Sequence, residues 1–586
     1  MAPNLLRERI GRFSHLLSAL LVCLCVRGPL PAEEPPPAGG LESLPKTTAQ
    51  AVALTNPGFE QGAVGWRLDR DGPFRLAASG ARTGKACLRF DANVPSRYTP
   101  SVRQAITDVR RGVYALRFWL KVRGLKPPTR GAGGVRVSVE YHTADGRRAW
   151  PSTAVFSGTF DWRLVERRVL VPAGIKDAAA TISVHRYGSP AGGEAFFDDF
   201  ALERIGEPPV ECFLLYPNYR GYLPADGPQR IRVWVRVNDP KPPGPARIAA
   251  SDLATGREVA DAELAAGKRE GIVELDGSSW PPGGYAIRAK LGDYAYPPYV
   301  VRKIAAEQRR GLGVWFDRHN VLHLRGKPTF PIGFYNTVRR FAVVDDAEIA
   351  RLNKLAEAPV SFHINYTWWP CAMKDRRRYL SEMHQRGIWY LDTLMPFKPG
   401  LLQLAPEQLH IGPDLLGEAY RKLETQEQFD RFLTLLASEM RKLPGHGGWY
   451  VMDERPFDMV PAIFHQCTVL RRADADHPVY GVSDKPDELF LWRDTLDVFG
   501  LDPYPLMNMK AGRPLSFVGQ WTRAGVEATH ASRPVWMVIQ FFQGWSTDRW
   551  PTEEELRTMS LMAIAEGARG LFYWSFGARA LLWVNP

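Results

Sequence analysis

The 586 residues are 45% hydrophobic, 24% charged and 11% aromatic, with a formal net charge of +12 and a pI near 9.3. That balance excludes a wholly disordered chain, a fibrous repeat and a multi-span membrane protein, and the length suits three or four domains of about 100–200 residues. The positive charge is spread along the chain without a basic run interleaved with aromatics, which argues against a nucleic-acid partner.

Residues 1–32 read as a secretory signal. Arg7, Arg9 and Arg12 form a basic start, Leu16 to Val26 an apolar core, and Ala32 precedes a cleavage point. The apolar run is too short to span a bilayer, and Val22 before Cys23 is a poor lipoprotein signal. No later stretch reads as a membrane span, so a secreted or periplasmic protein is expected. Cys87, Cys212, Cys371 and Cys467 lie far apart with no C-x-x-C, which suits buried free thiols rather than a zinc site or disulfide scaffold. A Cys371–Cys467 bridge is the one pairing worth testing. The sequence carries no signal of oligomeric state.

Residues 33–50 are a Pro/Glu/Gly linker. In 51–205, Val135, Val137, Val139 and Tyr141 alternate with Arg136, Ser138 and Glu140, and no helical period competes, so an antiparallel β-sandwich is expected. Residues 206–310 show the same alternation at Ile231, Val233, Val235 and Val237 between Pro/Gly clusters, which suggests an immunoglobulin-like sandwich. From 311 to 586 strands alternate with helices. Strands are expected at 330–335, 359–365, 388–394, 448–454, 478–483, 497–502, 535–542 and 570–576. Thr425 with Gln428, and Thr552 with Glu555, form capping boxes. Eight strands with helical crossovers predict a (β/α)8 TIM barrel. The fold class is therefore two all-β sandwiches followed by an α/β barrel. The sequence ends ten residues after the eighth strand, so either it is a fragment or another element replaces the last helix over the seam.

Barrel sites form at the C-terminal ends of the strands. Those ends supply Tyr335 and Asn336, then His363 and Asn365 followed by Trp368 and Trp369, then Asp392, Asp453-Glu454, Asp502-Pro503-Tyr504, Gln540 with Gln543, and Trp574. Carboxylates, amides and aromatic rings at one rim suit carbohydrate recognition, with planar polar groups for hydroxyls and rings for sugar faces. Glycosidic cleavage needs a proton donor and a second carboxylate that attacks or activates water. Glu454, ending an apolar strand, is the best donor, although a plain ion pair with Arg455 is the alternative. Asp502 is the first candidate partner, although it could simply cap the turn before Pro503. Asp453 and Asp392 follow. Adjacent strand residues face opposite ways, so Asp453 and Glu454 share a site only if the strand breaks there.

Three segments resemble the retaining glycoside hydrolases with (β/α)8 barrels. GKPTFPIGFYN, 326–336, looks like their lead-in hairpin and first strand. GWYVMDERP, 448–456, is similar to their fourth strand, with Asp453 where the family carries Asn before its acid/base Glu. FYWSF places Trp574 where the family has a tryptophan platform. The resemblance implies Glu454 as acid/base and a strand-seven Glu as nucleophile, where this chain has Gln540 instead. NPGFEQGAVGW (56–66), FDWRLVERRVLVP (160–172) and AFFDDFALERI (195–205) resemble galactose-binding-like jelly rolls of the carbohydrate-binding modules. That resemblance implies a structural calcium held by Glu60 and Asp199. Trp66 and Trp162 read as core rather than sugar platforms.

The first reading is a secreted glycoside hydrolase of a poly- or oligosaccharide that needs no cofactor for catalysis. Glu454 is its general acid/base, Asp502 or Asp453 its second carboxylate, and Asn336, Tyr335, His363, Asn365, Asp392, Tyr504, Gln540 and Trp574 are its substrate contacts. A carboxyl separation of roughly 5–5.5 Å would indicate retention, and roughly 6.5–9.5 Å inversion. The second reading, favoured by Gln540, is a non-catalytic glycan-binding protein on the same scaffold. The third is a surface-assembly protein whose β domains bind other proteins.

Overall fold

The computed structural model describes residues 50–576, apart from 337–344, 366–372, 395–424 and shorter stretches in connecting loops. The expected signal, most of the linker, Trp368, Trp369, Cys371 and the seam after Phe576 lie outside the described residues. Two compact units result, divided between Glu207 and Pro208.

The first unit is two antiparallel sheets face to face. One centres on Gly112–Leu125, Gly158–Val171 and Glu194–Ile205, and the other on Ser101–Ile106, Gly134–His142 and Ala180–Tyr187. Period-two alternation sends Val135, Val137, Val139, Ile182 and Val184 into a core shared with Phe59, Trp66, Phe118 and Phe200. Trp66 is thus core, and its indole N–H donates to the Asn56 carbonyl at 3.0 Å. Trp162 differs from expectation: it is half-buried and stands outside that core.

The second unit combines the second sandwich with the barrel. Val210–Tyr216, Arg230–Val237 and Glu270–Asp276 form one sheet of the sandwich, opposite a six-stranded sheet centred on Gly283–Leu291. Buried charges join the sandwich to the barrel. Arg220 reaches Asp497 at 3.2 Å, and Arg493 reaches Glu211 at 3.0 Å. Tyr299 donates to Asp494 at 2.6 Å.

Eight parallel strands close the barrel: β1 (Ile332–Asn336), β2 (Phe362–Asn365), β3 (Trp389–Thr393), β4 (His446–Asp453), β5 (Val479–Ser483), β6 (Val498–Leu501), β7 (Val535–Gln540) and β8 (Gly570–Phe576). β8 pairs with both β7 and β1. Helices in the connections include α1 (Asp346–Ala356), α2 (Met373–Gln385), α3 (Gln426–Met440), α4 (Val460–Ala473), α5 (Phe517–Ala528) and α6 (Glu553–Ala565). Both anticipated capping boxes start helices, at Thr425 and Thr552. α3 buries Phe429, Phe432, Leu433, Leu436 and Met440 along one face, as their spacing requires.

The barrel interior is aromatic. Tyr335, Tyr450, Tyr480, Trp536 and Phe572 pack together, with the Trp536 and Phe572 rings stacked at 5.4 Å. Gly333 makes room for this filling, since a Cβ there would stand 2.3 Å from the Phe572 ring. A small three-stranded sheet over 314–329 contributes Val314, Phe316, Leu322 and Leu324 to the same core, together with Tyr219 from the sandwich. Cys87, Cys212 and Cys467 are buried free thiols, and Cys371, the partner considered for Cys467, lies outside the described residues.

Candidate functional site

β4, β5 and β6 each hand over to an acid. Asp453 ends β4 and Glu454 follows it, Asp484 follows β5, and Asp502 follows β6. The strand breaks where the pairing of neighbours requires it. Glu454 adopts a left-handed φ of +47°, while its N–H still donates to the Val482 carbonyl at 2.8 Å. A non-glycine residue in that region costs about 1 kcal/mol or more and is held there by its surroundings. The break lets Asp453 and Glu454 act on one another across the rim rather than from opposite faces.

Glu454 is exposed to solvent, yet protein crowds its carboxyl from most directions. Burial, then the charges of Asp453 and Asp484, push it up to about 7. A hydrogen bond with Asp502 and the charge of Lys485 pull the other way. Asp502 is almost wholly buried and is also pushed well above the usual carboxylate range, by burial first and then by Glu454 and the other two acids. Its Oδ1 meets no N–H or hydroxyl donor. Each acid raises the other, so the two give up their protons one after the other rather than together.

Asp453 is held differently. The Tyr450 hydroxyl donates to its Oδ1 at 2.5 Å. Behind it, the Tyr335 hydroxyl donates to Tyr480 at 3.3 Å inside the barrel. Lys485 Nζ stands 3.2 Å from Asp484 Oδ1. The sequence reading missed Asp484 and Lys485 because it stopped at Ser483. Carried two residues further, that reading of strand ends would have reached both.

Several expected substrate contacts lie elsewhere. Tyr335 is fully buried in the barrel core, because position 335 points inward below the rim. His363 points outward toward α2, with Nδ1 on the Phe334 carbonyl at 3.1 Å and its ring beside Tyr379. Asp392 also points outward and forms a fully buried ion pair with Arg376 of α2. Gln540 is buried, and its Oε1 accepts the Leu506 N–H at 3.0 Å, which anchors the loop after β6. Tyr504 is half-buried, edge-on to Phe542 at 5.1 Å. Trp574 is half-buried, 5.3 Å from the Tyr335 ring. The side chains of Asn336 and Asn365 lie outside the described residues.

In the first unit, Glu60 accepts the Lys85 and Ala86 amides at 2.8 and 3.1 Å. Asp199 accepts the Thr83 hydroxyl at 2.7 Å and pairs with Arg82 at 3.1 Å. N–H, O–H and guanidinium donors already face these oxygens, and calcium needs six to eight oxygen ligands, so this arrangement does not fit the ion. On the outer face of the second sheet, Ser138, Ser183 and His185 are buried although they point away from the core. His185 lies 3.1 Å from both Ser138 and Arg136. Residues 152 and 156 bridge back onto Ser138 and Val135, leaving Trp150 largely exposed nearby.

No family model matches the chain, and no curated protein matches it. Among solved structures, it is similar to a β-D-glucuronidase for Dictyoglomus thermophilum at 13% identity, covering 87% of this chain and 90% of that one, with a TM-score of 0.32. A β-glucuronidase of an uncultured Clostridium sp. shows 12% identity over 82% and 83%, with a TM-score of 0.31. A carbohydrate-binding module solved with β-1,4-galactotriose shows 23% identity over 26% of this chain and 98% of its own, with a TM-score of 0.20. At these TM-scores the likeness is distant and assigns no function.

Proposed function

We propose that the protein is a secreted glycoside hydrolase with a (β/α)8 catalytic barrel, acting on an oligo- or polysaccharide. One observation carries this reading: four acids, Asp453, Glu454, Asp484 and Asp502, gather where β4, β5 and β6 end at the mouth of the barrel, and burial and their mutual charges raise Glu454 and Asp502. Glu454, open to the cleft and titrating about 7, is the group that protonates the leaving glycosidic oxygen. Asp502, deeper and in contact with it, keeps that proton available. A hydrogen bond between the two leaves no room for a sugar carbon or a water to stand between them. The second carboxylate is therefore assigned to Asp453, which Tyr450 fixes with a hydrogen bond. On the first unit, the largely exposed Trp150 is the ring that would stack on a glycan.

The test is release of sugar from a panel of polysaccharides by the full chain, with Glu454→Gln and Asp453→Asn beside it. Release that survives Glu454→Gln would remove the proton donor from the mechanism. Gln540 favours the second reading, glycan binding without cleavage: strand seven ends in an amide committed to a backbone N–H. Binding to the panel with no release would establish that reading instead.

A further inference from the structure

A separate cluster lies at the opposite end of β4 from Glu454. His446 opens the strand, and Asp474 and His477 come from the turn between α4 and β5. Seven residues of strand separate His446 from Asp453, or roughly 20 Å, so this cluster takes no part in chemistry at the rim. One ligand atom from each of the three side chains lies within 4.8 Å of the others. His477 Nδ1 is 2.9 Å from both oxygens of Asp474, and His446 Nε2 is 3.5 Å from Asp474 Oδ2. His446 and Asp474 are fully buried and His477 nearly so.

The independent clue is His446. Both of its ring nitrogens are buried, and neither makes a hydrogen bond of ordinary geometry. Leaving such a group unsatisfied costs about 1–3 kcal/mol. The 3.5 Å approach of Nε2 to Asp474 is poor for a hydrogen bond, yet close to the spacing of about 3.3 Å between ligands that share a tetrahedral ion at about 2.0 Å. The carboxylate is already oriented, because Oδ2 accepts the Trp449 indole N–H at 3.0 Å and Oδ1 accepts the Asp476 and His477 amides at 3.2 Å. Such outer hydrogen bonds fix a ligating carboxylate.

We propose that His446, Asp474 and His477 form a buried binding site for a zinc-class divalent cation. Two imidazoles and a carboxylate suit zinc or cobalt, whereas calcium and magnesium take sets of oxygens. The ion's role is structural. It ties the start of β4 to the turn whose Asp474 and His477 carbonyls receive Arg220 from the sandwich.

The test uses the full chain, stripped with a chelator, dialysed and titrated with zinc chloride, reading metal per chain and melting temperature. A parallel titration with cobalt chloride reads the visible absorption band of the coordinated ion. About one zinc per chain, a rise in melting temperature and a tetrahedral-type cobalt spectrum are expected. His446→Gln should lose all three while keeping the far-ultraviolet circular dichroism of the parent. Should that variant fail to fold, the cobalt spectrum of the unaltered protein decides. No retained zinc with an unmoved melting temperature, or zinc retained undiminished by a folded His446→Gln protein, would overturn the proposal and leave a hydrogen-bonded network.

Discussion

The rim dyad makes a quantitative demand on catalysis. An ordinary glutamate, titrating at 4.5, is protonated in about 0.3% of molecules at pH 7. Glu454, titrating about 7, is protonated in about half of them. The gain in available acid is on the order of 150-fold. Because the protonated form acts, kcat should be full below about pH 7 and fall tenfold per unit above it. Replacing Glu454 with Gln removes the proton and should cost about 10²–10⁴-fold in kcat while abolishing that descending limb. Asp502→Asn keeps a neutral donor against Glu454, so its descending limb should stay within about one pH unit of the parent's. The assay is kcat against pH on whichever glycan the panel identifies, with single-turnover measurements to separate chemistry from product release. A descending limb near 4.5 in the parent, or a Glu454→Gln protein within tenfold of it, would refute the reasoning.

Three further outcomes follow from packing and charge. Arg376→Met strips the buried Asp392 of its counter-charge and should cost about 3–5 kcal/mol in urea unfolding. A loss below about 1 kcal/mol would mean that the pair is not sealed from water. Burial holds His363 down to about 4, against 6.5 for a free histidine. The unfolded chain takes up that proton first, so stability is intact above about pH 6.5 and declines as pH falls toward 4, by on the order of 3 kcal/mol. His363→Asn, which keeps an N–H for the Phe334 carbonyl, should flatten this part of the profile in denaturant titrations at each pH. Gly333→Ala drives a methyl group into the Phe572 ring and should destabilise by about 1–3 kcal/mol, seen as a lowered urea midpoint. An unchanged midpoint would show that the interior has slack.

The barrel was legible because each strand is a short apolar run closed by turn residues, and because capping boxes mark two helices directly. The acids were legible for the same reason, since a strand's last residue is fixed once the strand is. Facing was not. Strands of a closed parallel sheet are covered on both sides, so both sides are apolar, and alternation no longer tells inward from outward. Tyr335, His363 and Asp392 were all assigned to the rim, and the structure sends the first into the core and the other two behind the sheet. Contact between Glu454 and Asp502 depends on how neighbouring strands are staggered, which no local pattern encodes. The partnership of Arg220 with Asp497 spans 277 residues and was equally invisible.

That partnership governs how the chain can be divided. Asp497 is buried against Arg220 and Arg471, and Arg220 also binds the carbonyls of Asp474 and His477 under the barrel floor. A barrel fragment cut at residue 311 would discard Arg220 together with Tyr219, a side chain that fills the barrel's own interior. The smallest piece that keeps the barrel's foundations starts at Pro208, so the middle sandwich is better regarded as the plinth of the barrel than as a spacer beside it.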